Sequence, residues 1–131
     1  PRKLARETLA AVAAMLQDTA RLQQASADKL AAGQTGKAME LLLGCLNHFR
    51  LAEGAVRQAV HVARLDLDGV KVGQKAAGEV IQSLAGRLAQ VKTALETRDF
   101  ALLGDLLNYE FPEVANAWKA IVAELERQLG Q

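Results

Sequence analysis

The chain has 131 residues, half of them hydrophobic, 24% charged and only 4% aromatic. One core organises about 100–150 residues, so a single domain over 1–131 is expected, and the apolar half excludes a disordered chain. Sixteen basic and fifteen acidic residues give a net +1, with no basic stripe interleaved with aromatics, which argues against a nucleic-acid partner.

Alanine and leucine dominate, and both lose little on entering a helix. The first helical segment is expected from about Lys3 to Ala32, with Leu9, Val12, Leu16 and Thr19 at three- and four-residue spacing. Gln23 and Ser26 interrupt that stripe before Leu30, Gly33 reads as the stop, and Thr35 as the next N-cap. A second helix, roughly Gly36 to Leu65, carries two adjacent rows. One is Met39, Leu42, Leu46, Phe49, Glu53, Val56, Val60 and Ala63; the other is Ala38, Leu41, Cys45, His48, Ala52, Ala55, Ala59 and Val62. Arg50, Arg57, His61 and Arg64 fall on the opposite, wetter side.

Leu65-Asp66-Leu67-Asp68-Gly69 breaks the helix, and Asp68 is expected to cap a third one reaching about Thr97. Its stripe is Ala77, Ile81, Leu84, Leu88, Val91 and Leu95, with Gly78 and Gly86 tolerated for close helix approach. Asp99 caps a shorter helix, Phe111-Pro112 marks a break, and a last segment, Pro112 to Leu129, aligns Val114, Trp118, Ile121 and Leu125. No strand-like alternation competes. The expected architecture is all-α: an antiparallel up-down four-helix bundle with a kinked fourth element.

Charge is divided unevenly along the chain. Up to Leu65 it is +4, and from Asp66 onward −3, which suits one half packing beside the other. A lone Cys45 forms no internal disulfide and no apolar run is long enough to span a bilayer, so a cytoplasmic protein off the membrane is expected.

No catalytic or cofactor constellation emerges. An EF-hand starting at Asp66 would need a ligand at Val70, glycine at Lys71 and glutamate at Ala77. No Glu precedes a His by three residues, which removes the carboxylate-bundle metal sites, and one Cys with two His serves zinc poorly. Cys45 and His48 share a helix face, the spacing of a nucleophile and its base, although a thiol is activated only in an exposed electropositive setting. His61-Val62-Ala63-Arg64-Leu65 resembles in part the phosphotransfer domains of bacterial phosphorelays, which carry an exposed His with Lys or Arg three residues on. Leu65 stands where those domains have glycine, and His61 lies near the helix end. The resemblance implies a signalling module using His61.

Three features remain as candidate interaction or structural-polar sites. Glu53 interrupts a core row, where an unpaired buried carboxylate is costly, so pairing with Arg57 or Arg50 is expected. Tyr109-Glu110-Phe111-Pro112-Glu113 reads as a hinge whose aromatics plug the bundle end, or as an exposed acidic–aromatic lip. Leu51 breaks the polar side between Arg50 and Arg57, beside Gly54. The wide apolar face of the second helix therefore points to a protein–protein interaction module: an adaptor, assembly factor or chaperone-like bundle, with a two-fold homodimer as one form. A small apolar-ligand carrier is the remaining alternative.

Overall fold

The spacing of apolar residues produces helices in the computed structural model, which describes residues 2–130. Helix α1 (Arg2–Ala31) buries Ala5, Leu9, Val12, Leu16 and Thr19 along one stripe. Ser26 continues this stripe instead of interrupting it: fully buried, it donates a 2.8 Å hydrogen bond to the Ala38 carbonyl across the next helix. Gly33, at φ 79°, adopts the left-handed conformation that ends α1. The amide of Gln34 then reaches back to the Lys29 carbonyl at 2.9 Å and that of Gly33 to Leu30 at 3.1 Å, the Schellman pattern. That turn feeds directly into helix α2 (Thr35–Val62), so Thr35 is its first helical residue and not its cap.

Both apolar rows of α2 are buried or half-buried throughout, so the width of this face is largely covered by the chain itself. Helix α2 ends on Arg64, a non-glycine residue at φ 57°, with the Leu65 amide bonded to the Val60 carbonyl at 2.9 Å. The next segment departs from expectation. Asp68 caps no helix; its amide donates to the Asp66 carboxylate at 3.0 Å in a tight turn. Buried Val70 then leads into a small antiparallel hairpin, β1 (Lys71–Val72) and β2 (Lys75–Ala76), turned by Gly73 at φ 66°. Two β-branched valines and a glycine at positive φ favour this hairpin over a helical turn.

Helix α3 (Ala77–Thr97) therefore starts nine residues later than its expected cap at Asp68, and buries Ala77, Ile81, Leu84, Val91, Ala94 and Leu95. A Cβ at Gly78 would stand 3.3 Å from the carboxylate of exposed Asp68 in the preceding turn, and Gly86 faces open space, so neither glycine marks the close helix approach expected. Asp99 does cap helix α4 (Phe100–Asp105), accepting the Leu102 amide at 3.1 Å.

Phe111-Pro112 does not break the chain's last helix. Residues Leu106–Glu110 form a π-helical turn that runs without interruption into helix α5 (Phe111–Leu129). In that register the Phe111 amide bonds to the Leu106 carbonyl, five residues back. The next donor would be Pro112, which has no N–H, for the carbonyl of Leu107. Gln23 of α1 fills the vacancy: its Nε2 donates to that carbonyl at 2.8 Å. The residue read as a stripe interruption is thus the partner of a carbonyl 84 positions away.

The architecture is all-α, as the spacing predicts. Helix α1 packs most extensively on α2 and then on α5, while α3 sits against α4 and α5 and touches α2 only sparingly. Phe49 of α2 stacks on Phe111 with ring centroids 5.6 Å apart and planes 11° from parallel. Among the described residues no ion pair joins the basic first half to the acidic second half.

Two substitutions measure these local devices. Asp99→Ala should lower unfolding free energy by about 1 kcal/mol, the usual worth of an N-cap. Gln23→Ala strands a carbonyl inside the core and should cost about 1–3 kcal/mol in urea denaturation, despite removing only a half-buried side chain.

Candidate functional site

Glu53 lies on α2 between buried Phe49 and Val56, half-buried itself. Its Oε1 stands 3.3 Å from Nη2 of Arg57, one turn on. Arg50 turns away and donates to the Asn47 side chain at 3.0 Å. Glu53 also opens onto a groove of about 260 Å³ between α2 and α3, lined by Leu46, Arg50, Glu53, Ala85, Leu88, Ala89 and Lys92. The groove exists because α3 presents Ala85 and Ala89 beside Leu88, too short to fill the space before Leu46. Its floor is aliphatic and its walls carry one exposed cation each, Arg50 from α2 and Lys92 from α3. Neither enters an ion pair among the described residues. The glutamate is thus structurally held and at the same time at the edge of an opening.

A second groove runs along the other flank of α3, lined by Ala89, Gln90, Thr93, Leu102 and Leu106. Ala89 belongs to both, so α3 is a low ridge between two shallow channels. Sequence reasoning missed Ala85, Ala89 and Lys92. The available signal was an exposed i, i+4 alanine pair next to Leu88 on a helix with few large outward residues.

The remaining candidates are scattered. Leu51 is 51% exposed on the outward side of α2 and Leu43 is 56% exposed, with Gly54 open between turns. Leu51 lies about 140° around the helix from Leu46, away from the groove. His61 is exposed in the last turn of α2, one residue before its end. The lip divides: Phe111 is buried against Phe49, whereas Tyr109 is 71% exposed. Glu110 and Glu113 both meet Arg87 of α3, at 3.6 and 2.8 Å. The aromatics therefore do not form one surface, because residues two apart lie on opposite sides of a helix.

Cys45 and His48 do not form a nucleophile and its base. The Cys45 thiol is fully buried and donates a long 3.7 Å contact to the Thr19 carbonyl. Burial pushes its pKa up to about 12, so it stays protonated at neutral pH. His48 Nδ1 lies instead 3.0 Å from the Thr19 hydroxyl, which also contacts the Met15 carbonyl at 2.9 Å. That hydroxyl has one hydrogen; when it is donated to Met15, Nδ1 must carry the proton toward Thr19. The trio is an interhelical polar lock. Among the described residues no group of three or more His, Cys, Asp or Glu gathers as a metal site. No described helix is long and apolar enough to cross a membrane.

The profile of a family described as "Domain of unknown function (DUF8042)" matches residues 7–121. The chain belongs to the DUF8042 family. The matched span runs from α1 to Ile121 of α5, so both channels beside α3 lie within the DUF8042 domain. No curated protein and no solved structure matches the chain.

The buried thiol makes a signed pH prediction. Its folded pKa of about 12 exceeds the ordinary value of 9.0, so the unfolded chain loses the proton first. Stability from the neutral thiol is complete below pH 9 and declines as pH rises toward 12. The stability advantage of wild type over Cys45→Ala, from urea melts, should be flat from pH 6 to 8 and shrink above pH 9.

Proposed function

We propose that this DUF8042 chain is a non-enzymatic protein–protein interaction module, an adaptor, assembly factor or chaperone-like bundle, that receives its partner along α3. The observation that carries this reading is the α2–α3 groove, with an aliphatic floor of Leu46, Ala85, Leu88 and Ala89 and a cation on each wall. At about 260 Å³ it is smaller than the roughly 300–1,000 Å³ of small-ligand pockets, and it is open along its length. Such a channel suits the side chains of a helix laid between two helices better than an enclosed small molecule. The charges on the walls would orient the partner and the floor would supply affinity.

A photoreactive amino acid at Ala85, incorporated in the native host, tests the reading. The expected result is a discrete protein adduct at Ala85 that is lost with Leu88→Glu and absent when the probe sits at Ala120 on α5. No adduct at Ala85, or equal labelling from both positions, would overturn it.

A further inference from the structure

The two flanks of α3 differ in charge, and the difference is self-complementary. On the α2 side stand Arg50 and Lys92, neither in an ion pair among the described residues. The only acid lining that groove, Glu53, is already held by Arg57. On the α4 side the chain from Asp99 to Trp118 contains no Lys or Arg, and its acids are Asp99, Asp105, Glu110 and Glu113. Arg87 takes Glu110 and Glu113, and Asp99 is turned to the Leu102 amide. Asp105 is exposed with no ion pair among the described residues. It stands three residues after Leu102, which is 42% exposed at the edge of the second groove. One flank thus offers an apolar channel with free cations, and the other an apolar side chain with a free carboxylate on the same helix face.

We propose that a second copy of this chain covers this face, through a two-fold axis running parallel to α3. The proposal rests on the interaction reading above and names the partner. A rotation about such an axis places the α2 flank of one copy against the α4 flank of the other, twice over. Leu102 of the second copy then enters the channel floored by Leu46 and Leu88, and Asp105 of the second copy meets Lys92 or Arg50. The two α3 ridges meet at the centre across Ala85 and Ala89, which allow close approach. Both grooves share Ala89, so the facing elements sit at about the same height along the axis. Of the two cations, Arg50 belongs to the basic first half, so its pairing with Asp105 would join the two halves between copies, whereas Lys92 and Asp105 both belong to the second half.

The size of the face sets the expected strength. Three helices abreast span about 25 Å and residues 82–96 of α3 about 20 Å, or about 500 Å² per copy. The total of about 1,000 Å² is at the low end for a specific interface, so a dimer with micromolar dissociation is expected.

Sedimentation equilibrium from 2 to 500 µM tests the proposal on the full chain. Wild type should pass from monomer to dimer across that range. Lys92→Glu and Asp105→Lys, both at exposed positions, should each weaken dimerisation at least tenfold, and the double variant should recover most of it. Circular dichroism and melts confirm that the variants fold. A monomer at all concentrations, a dimer indifferent to Ala89→Glu, or a double variant no better than the singles would overturn the proposal. A monomer that nonetheless gives the Ala85 adduct with another protein would remove the second copy while leaving the interaction reading intact; a monomer without that adduct would remove both.

Discussion

The seam between α1 and α2 is the contact on which the remaining packing is built. Leu9, Val12 and Leu16 of α1 and Leu42, Cys45, Phe49, Ala52 and Val56 of α2 are all buried in one core. Small residues at Ala38, Cys45, Ala52 and Ala59 bring the backbones close enough for polar groups to be satisfied across the seam. Ser26 reaches the Ala38 carbonyl, Cys45 the Thr19 carbonyl, and His48 the Thr19 hydroxyl. In a dry interface each of these bonds also fixes the register, because slipping the helices would strand its donor. A short Schellman turn at Gly33 closes the hairpin, so the pairing is local in sequence and cheap in loop entropy.

The last helix is fitted to that frame by its own defect. Pro112 denies a hydrogen bond to Leu107, the π turn shifts the register to accommodate the ring, and Gln23 answers from α1. Phe111 is left stacked on Phe49, and Tyr109, two residues before it on the opposite side of the helix, lies outside. Helix α3 is attached more lightly, through its own stripe and the Arg87 pairs with Glu110 and Glu113. Surface ion pairs of this kind contribute little, typically under 1 kcal/mol each. The outward side of α3 carries Ala85, Gly86 and Ala89 among exposed polar residues such as Gln82, Thr93 and Glu96, with a channel on either flank.

Periodicity made the helices and most of their buried faces readable in advance, since a 3.6-residue stripe depends only on local order. The cap at Asp99 was equally readable, because its mechanism spans three residues. What could not be read were relations between distant segments. Ser26 and Gln23 look like polar gaps until the carbonyls they answer are in place. Pro112 signals a break by its own chemistry, and only a π turn backed by Gln23 turns it into a continuous helix. The hairpin at Lys71–Ala76 has strands of two residues, too short for alternation to show. The groove was missed because it is defined by what α3 lacks opposite Leu46. Glu53 and Leu51 stood out as single exceptions to a pattern, yet the channel beside Glu53 and the exposed side of Leu51 point in different directions.

The central claim is that the α1–α2 hairpin is the stable frame and that α3 is the element left partly uncovered in a single copy. Hydrogen–deuterium exchange at low micromolar concentration tests it most directly, because amide protection reports the free energy of local opening. The account predicts slowest exchange for buried positions from Val12 to Leu16 and from Leu42 to Val56, with Ile81 to Val91 of α3 opening at lower free energy. Protection of α3 equal to that of α1 and α2 would contradict it.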